Sequence, residues 1–326
     1  MPVLGTLLYA PGAAAGSEKP AGTILIRLLE APVNRQADPR AHTYIIDHLA
    51  PGTVIHRGLE VANTSDTVQH VELYAGAATV GNGTFTFAPD HTTNELTGWV
   101  RLDGTGREVP AHGSVRVEAT ITVPRTASRG ERYAVIWASD SGASDAAASV
   151  RMVNRVGVRV YLDVGPGGEP PSDFRIDNVT AARTADGTPE VLAKVRNTGG
   201  RALDMSGSLE LTDSPGFFNA GPFPANRGTT LAVNETEAIT VPVDKNLPDG
   251  PWTADLTLAS GLVQHAVTDR LTFPHAAGTS GPIKPLPADS LTPLLERVAA
   301  AAVATSVVLV GSVAYRRGRR RPARTP

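Results

Sequence analysis

The stretch SVRVEATITV, residues 114–123, alternates without a break: Val115, Val117, Ala119, Ile121 and Val123 are separated by Arg116, Glu118, Thr120 and Thr122. Successive side chains of a strand point to opposite faces, so a period of two makes one apolar face and one wet face. The same rhythm returns in Val156, Val158, Val160 and Leu162, and again in Trp252, Ala254, Leu256 and Leu258. Such runs recur at short intervals with Gly, Pro, Asn or Asp between them, and no amphipathic helix of useful length intervenes. The pattern predicts an all-β chain of sandwiches.

The chain also echoes itself. LEVANTSDTVQHVELYAG (59–76) returns as LAKVRNTGGRALDMSGSLEL (192–211), which aligns Asn63 with Asn197. ITVPRTASRGERYAVIWAS (121–139) returns as ITVPVDKNLPDGPWTADLTLAS (239–260), with a turn at Gly130 or Gly250 and an aromatic, Tyr133 or Trp252, on the returning strand. One sandwich plan used twice accounts for both echoes, and 326 residues accommodate two domains of ordinary size. The expected order is a signal-peptide remnant (1–20), an Ig-like sandwich (21–166), a hinge (167–173) and a second Ig-like sandwich (174–273). A proline-rich stalk (274–295), a transmembrane helix (296–315) and a basic cytoplasmic tail (316–326) follow.

The C-terminal expectation rests on charge. Residues 298–315 carry no charged side chain and, as a helix, span about 27 Å, close to a bilayer core of about 30 Å. Tyr315 stands at the junction, and Arg316, Arg317, Arg319, Arg320 and Arg321 follow as a stop-transfer cluster on the cytoplasmic side. This places the sandwiches outside the cell membrane on a single-pass anchor. With Arg324 the tail supplies +6 of a net charge of −2, so residues 1–315 carry −8, and their bulk offers no footprint for nucleic acid.

Catalysis finds little support. There is no cysteine, and the eight histidines include no H-E-x-x-H pair. No nucleophile elbow, phosphate loop or dinucleotide fingerprint occurs. The chain is therefore read as non-enzymatic, without metal or cofactor. For ligand contact, Trp99 after the LTG turn is the best candidate for an exposed platform, while Trp137 and Trp252 read as core. Asn63 and Asp66 in the NTSDT loop and Asn82 in the GNGT loop lie at strand ends, where sandwiches commonly bind.

Residues 40–165 resemble the N-terminal domain of WxL-interacting surface proteins of Gram-positive bacteria. The stretches that carry the resemblance are APGTVIHRGLEVANTSDTVQHVELYAGAATVGNGTFTF, GWVRL, VPAHGSVRVEATITVPRTASRGERYAVIWAS and NRVGVRVYLDV. It implies an envelope protein with a signal peptide, Ig-like domains, one membrane helix and a basic tail. It also implies that the first domain binds peptidoglycan and that a WxL-type surface protein is a partner. Residues 174–273 look like a generic Ig-like module, so host-ligand binding is not carried over. The alternative function is a structural or interaction subunit, or an accessory module of another exported protein, with no glycan contact.

Overall fold

The computed structural model describes residues 24–140, 154–213, 218–225 and 228–282. The expected signal remnant, the membrane helix with Tyr315, the arginine cluster Arg316–Arg321 and most of the stalk lie outside these residues. Among the described residues no helix is long and apolar enough to cross a membrane.

Among the described residues the fold is all-β, with only short 3₁₀ turns between strands. The first ten strands are Ile24–Leu28 (β1), Ile45–Leu49 (β2), Val54–Asn63 (β3), Gln69–Gly81 (β4), Thr84–Phe87 (β5), Val100–Leu102 (β6), Gly106–Val109 (β7), Ser114–Thr122 (β8), Gly130–Asp140 (β9) and Arg155–Val164 (β10). They form an Ig-like sandwich. One sheet has the order β1-β3-β8-β6, and the other β2-β10-β9-β4-β5 with β7 also paired to β4. The alternation in β8 does what its pattern requires: Val117, Ala119 and Ile121 enter the core against Leu59, Leu73, Ile136 and Val160. Strand β2 runs parallel to β10 and closes that edge of the second sheet.

The remaining strands are Phe174–Arg183 (β11), Pro189–Asn197 (β12), Leu203–Asp204 (β13), Ser206–Asp213 (β14), Asn219–Pro224 (β15), Thr230–Leu231 (β16), Thr236–Pro242 (β17), Trp252–Ser260 (β18) and Val263–Leu271 (β19). Sheet β11-β12-β17 packs on sheet β15-β14-β18-β19, with the short β13–β16 pair beside them. Trp252, Ala254, Leu256 and Leu258 all enter this second core, and the Trp252 indole donates to the Pro248 carbonyl at 2.9 Å.

The stalk is expected over residues 274–295. Residues 274–282 lie back along β11: the Arg183 amide donates to the Thr279 carbonyl at 2.9 Å, and the Gly281 amide to Ala181 at 2.7 Å. An open strand edge carries unpaired backbone groups, and this segment satisfies some of them. Trp137, read as core, is buried, in a cluster separate from the one between the two sheets. It lies on the outer face of its sheet with Ile46, Phe85, Val135, Tyr161 and, from the second sandwich, Ala202.

Candidate functional site

The predicted contact residues do not converge. Asn63 is 1% exposed, and its Nδ2 donates to the carbonyls of Thr67, Val109 and Pro110 at 2.7–3.1 Å while its Oδ1 accepts from the Ser65 amide. Asn197, its echo, does the same work: Nδ2 reaches the carbonyls of Arg201, Leu231 and Ala232 at 2.8–3.3 Å, and Oδ1 accepts from the Gly199 amide. An amide can donate twice and accept at once, so one side chain ties a strand end, a turn and a neighbouring loop. Both asparagines are structural plugs, and Asn63 is out of reach of a ligand.

Trp99, expected as an exposed platform, is 8% exposed and packs in the first core, its ring covered by the Arg132 guanidinium at 4.9 Å. A turn in front of a tryptophan does not reveal which way the ring swings. Asp66 remains at the surface, 2.8 Å from His112 Nε2. Asn82 is exposed with φ +53°, followed by Gly83 at +67°, which is the left-handed pair that closes a tight hairpin. This β4–β5 tip has a second role. Gly83 donates its amide to Glu235 Oε1 and accepts from the Thr230 amide, both at 3.0 Å, so the hairpin docks on the second sandwich.

Around that contact the structure concentrates charge, part of it buried. Arg201, 2% exposed, bonds Glu131 at 2.9 Å and also bonds Glu169, which Arg35 holds from the other side. The second Glu131 oxygen accepts from the Ala202 amide at 2.7 Å. Asp204 of the second sandwich meets three groups of the first: Arg40 at 2.7 Å, Arg159 at 3.2 Å and the Tyr161 hydroxyl at 2.7 Å. It also accepts from the Thr230 hydroxyl at 2.8 Å. Burial, joined by the Asp204 carboxylate, pushes the Tyr161 phenol well above its ordinary range, so it stays a donor. Burial pushes Glu169 up, but its bonds and charge contacts with Arg35 and Arg201 outweigh this, and its net shift is downward. Asp47 shifts upward because burial outweighs Arg57, which sits 2.5 Å away.

Beside these contacts a cleft of about 380 Å³ opens between the sandwiches, lined by Arg40, Tyr44, Arg159, Asp204, Ser206 and Gly261 among others. The His48–Asp163 pair, 2.6 Å apart, resembles a proton-transfer dyad, but His48 Nε2 is taken by the Gly167 carbonyl at 3.1 Å. No ring nitrogen is left to face a substrate. Of the cross-domain contacts, the GNGT loop was singled out in the sequence, as a ligand loop, and the charged residues were not. Their signal is weak: isolated charges beside apolar strands, which a sequence reading assigns to solvent.

Geometry and sheet order define a chain of Ig-like sandwiches joined through a polar junction. No family model and no curated protein matches the sequence. Solved structures similar to it include the E. coli chaperone DraB, with TM-score 0.37 and 10% identity over 81% of this chain and 96% of that one. A structure of the Salmonella enterica SafA pilin in complex with the SafB chaperone gives TM-score 0.41 and 9% identity over 76% and 96%. The class 5 fimbriae chaperone CfaA gives 0.35 and 10% over 76% and 99%. At these scores the likenesses carry no argument about what this chain binds. The resemblance to WxL-interacting proteins is corrected, because no family model matches the sequence. The expected peptidoglycan ligand, the WxL-type partner and the Gram-positive wall fall with it.

Proposed function

We propose that the chain is a non-enzymatic interaction subunit: two Ig-like sandwiches, held as one unit, present a shared surface to another protein. The observation that carries this reading is the ionic junction, buried at Arg201 and Glu131 and partly buried at Asp204, Arg40 and Arg159. Taking charges out of water costs several kcal/mol per ion, and such pairs add little net stability. Their best-attested use is to specify one arrangement over others. Arg201 with Glu131 and Glu169, and Asp204 with Arg40 and Arg159, select one mutual placement of the sandwiches. A fixed pair offers a preformed surface, which lowers the ordering cost of association. The His48–Asp163 pair, closed by Gly167, supports a non-catalytic reading.

A separate proposal, resting on the sequence of residues 298–321 alone, is a single-pass topology with the sandwiches outside the cell membrane and the tail in the cytoplasm. Protease shaving of intact cells carrying a C-terminal tag tests it: the sandwiches are digested and the tag survives.

The function is tested by photo-crosslinking in intact cells, with a photoreactive residue placed in the full chain at Val54, Phe87 or Leu262, each exposed. A discrete protein adduct at one or more positions is expected. Absence of a protein adduct at every position overturns the interaction reading.

A further inference from the structure

The outer face of the six-stranded sheet is built in a way that the sandwich core does not require. Trp137 on β9 lies flat across its two neighbouring strands, over Gly157 on β10 and Gly76 on β4. A Cβ at Gly157 would stand 2.6 Å from its Cε3, and one at Gly76 would stand 2.8 Å from its Nε1. Only glycine permits the ring to sit this low. Arg155 stacks its guanidinium on the indole at 4.6 Å, and Phe87 meets the ring edge-on at 5.1 Å. Tyr74 accepts from Arg155 Nη1 at 3.4 Å and stacks on His91 at 3.9 Å.

The junction half of this face is covered by Ala202 and Asp204 of the second sandwich. The other half is open: Phe87 is 39% exposed and the His91 side chain 57%. The carboxylate on this half, Glu72, lies 3.7 Å from His91 Nε2. Arg159 shares Asp204, whereas Arg155 has no carboxylate within ion-pair distance among the described residues. A guanidinium held flat on an indole keeps its planar fork oriented for a carboxylate. Arginine and aromatic side chains on a rigid sheet are also the groups that dominate binding energy at protein interfaces.

We propose that this open half, centred on Arg155 and Phe87 where they cover Trp137, docks an acidic segment of a protein partner. A carboxylate pairs with Arg155, and an adjacent aromatic or aliphatic side chain rests on Phe87. The inference rests on the interaction reading above and names the surface and chemistry of the partner.

The test uses the full chain and two short photoreactive peptides in a Gly-Ser context. One has benzoylphenylalanine between two Glu and the other has it between two Lys. The expected result is adducts on β4, β5 or β9, with the acidic peptide favoured by up to about five-fold, the worth of one exposed ion pair of about 1 kcal/mol. Arg155→Glu inverts the preference toward the Lys peptide. Loss of packing alone would lower both yields together and leave their ratio unchanged. If Arg155→Glu does not fold by circular dichroism, Arg155→Gln and Phe87→Ala replace it, the first abolishing the preference and the second lowering acidic-peptide yield. Equal yields for both peptides, or adducts confined to other surfaces, overturn the proposal. Should cellular crosslinks persist at Val54 or Leu262 after such a failure, the interaction reading stands and only this face is wrong.

Discussion

Asn63 and Asn197 show how one residue type, placed twice, organises both sandwiches. Each is buried, and each Nδ2 reaches three backbone carbonyls. Replacing Asn197 by Ala leaves those acceptors without their donor inside the protein, where an unmade bond costs about 1–3 kcal/mol. Asn197→Asp is expected to be at least as damaging, because an ionised carboxylate cannot donate to a carbonyl. Urea unfolding of the two variants checks both the magnitude and the order. The importance of these asparagines was legible, since the echo aligned them, but their role as plugs was not. An asparagine at a strand end reads equally as a turn residue, a ligand contact or a plug until its carbonyl partners are in place. Trp99 reads as exposed for a similar reason: the core residues and Arg132 that cover its ring are distant in sequence.

The strands themselves were the most legible level. Where one face is wet, as in β8, apolar and polar residues alternate and the register follows. Strand β9 is different. Its run Ala134–Ser139 is buried throughout, because one side meets the core and the other meets the aromatic layer and the second sandwich. A strand covered on both faces loses its period of two, which is why Trp137 read as core. The glycines beside it make a sharp prediction. Gly157→Ala places a methyl group against Val135 and Trp137 at 2.5–2.6 Å. Overpacking of this kind costs about 1–3 kcal/mol, and it is expected to lower the thermal midpoint and alter Trp137 fluorescence. At the β4–β5 hairpin, Glu235 accepts from both Gly83 and Ala232. Glu235→Ala is expected to speed amide exchange at Gly83 while leaving the centre of β4 protected. Unchanged exchange at Gly83 would mean that the hairpin tip does not dock there.

At the scale of the whole molecule, two sandwiches were readable from repetition, and their junction was not. It joins Arg35, Arg40, Glu131, Arg159, Glu169, Arg201 and Asp204, which come from four separate stretches of the chain and meet only after folding. Removing Arg201 leaves Glu131 buried and unpaired, a loss of about 3–5 kcal/mol, so Arg201→Met is expected to destabilise strongly. The junction also responds to acid with a defined sign. Glu169 is shifted downward in the folded chain, so its stabilisation is present above the ordinary carboxylate range and is lost as pH falls through its folded value. Asp47, shifted upward, opposes this by binding its proton more readily when folded. Glu169→Gln is therefore expected to flatten the acid-side loss of stability, which denaturant titrations across that range would show.

The most direct test of a fixed pair of sandwiches is a distance measurement between them. The chain has no cysteine, so one introduced at Arg116 and another at Lys194, both on exposed strand faces, take spin labels without competition. Pulsed electron–electron resonance on this doubly labelled chain is expected to give one narrow distance distribution, which broadens when Arg201→Met is added. A broad distribution in the chain that retains Arg201 would contradict the account, because sandwiches that move independently cannot present one preformed surface.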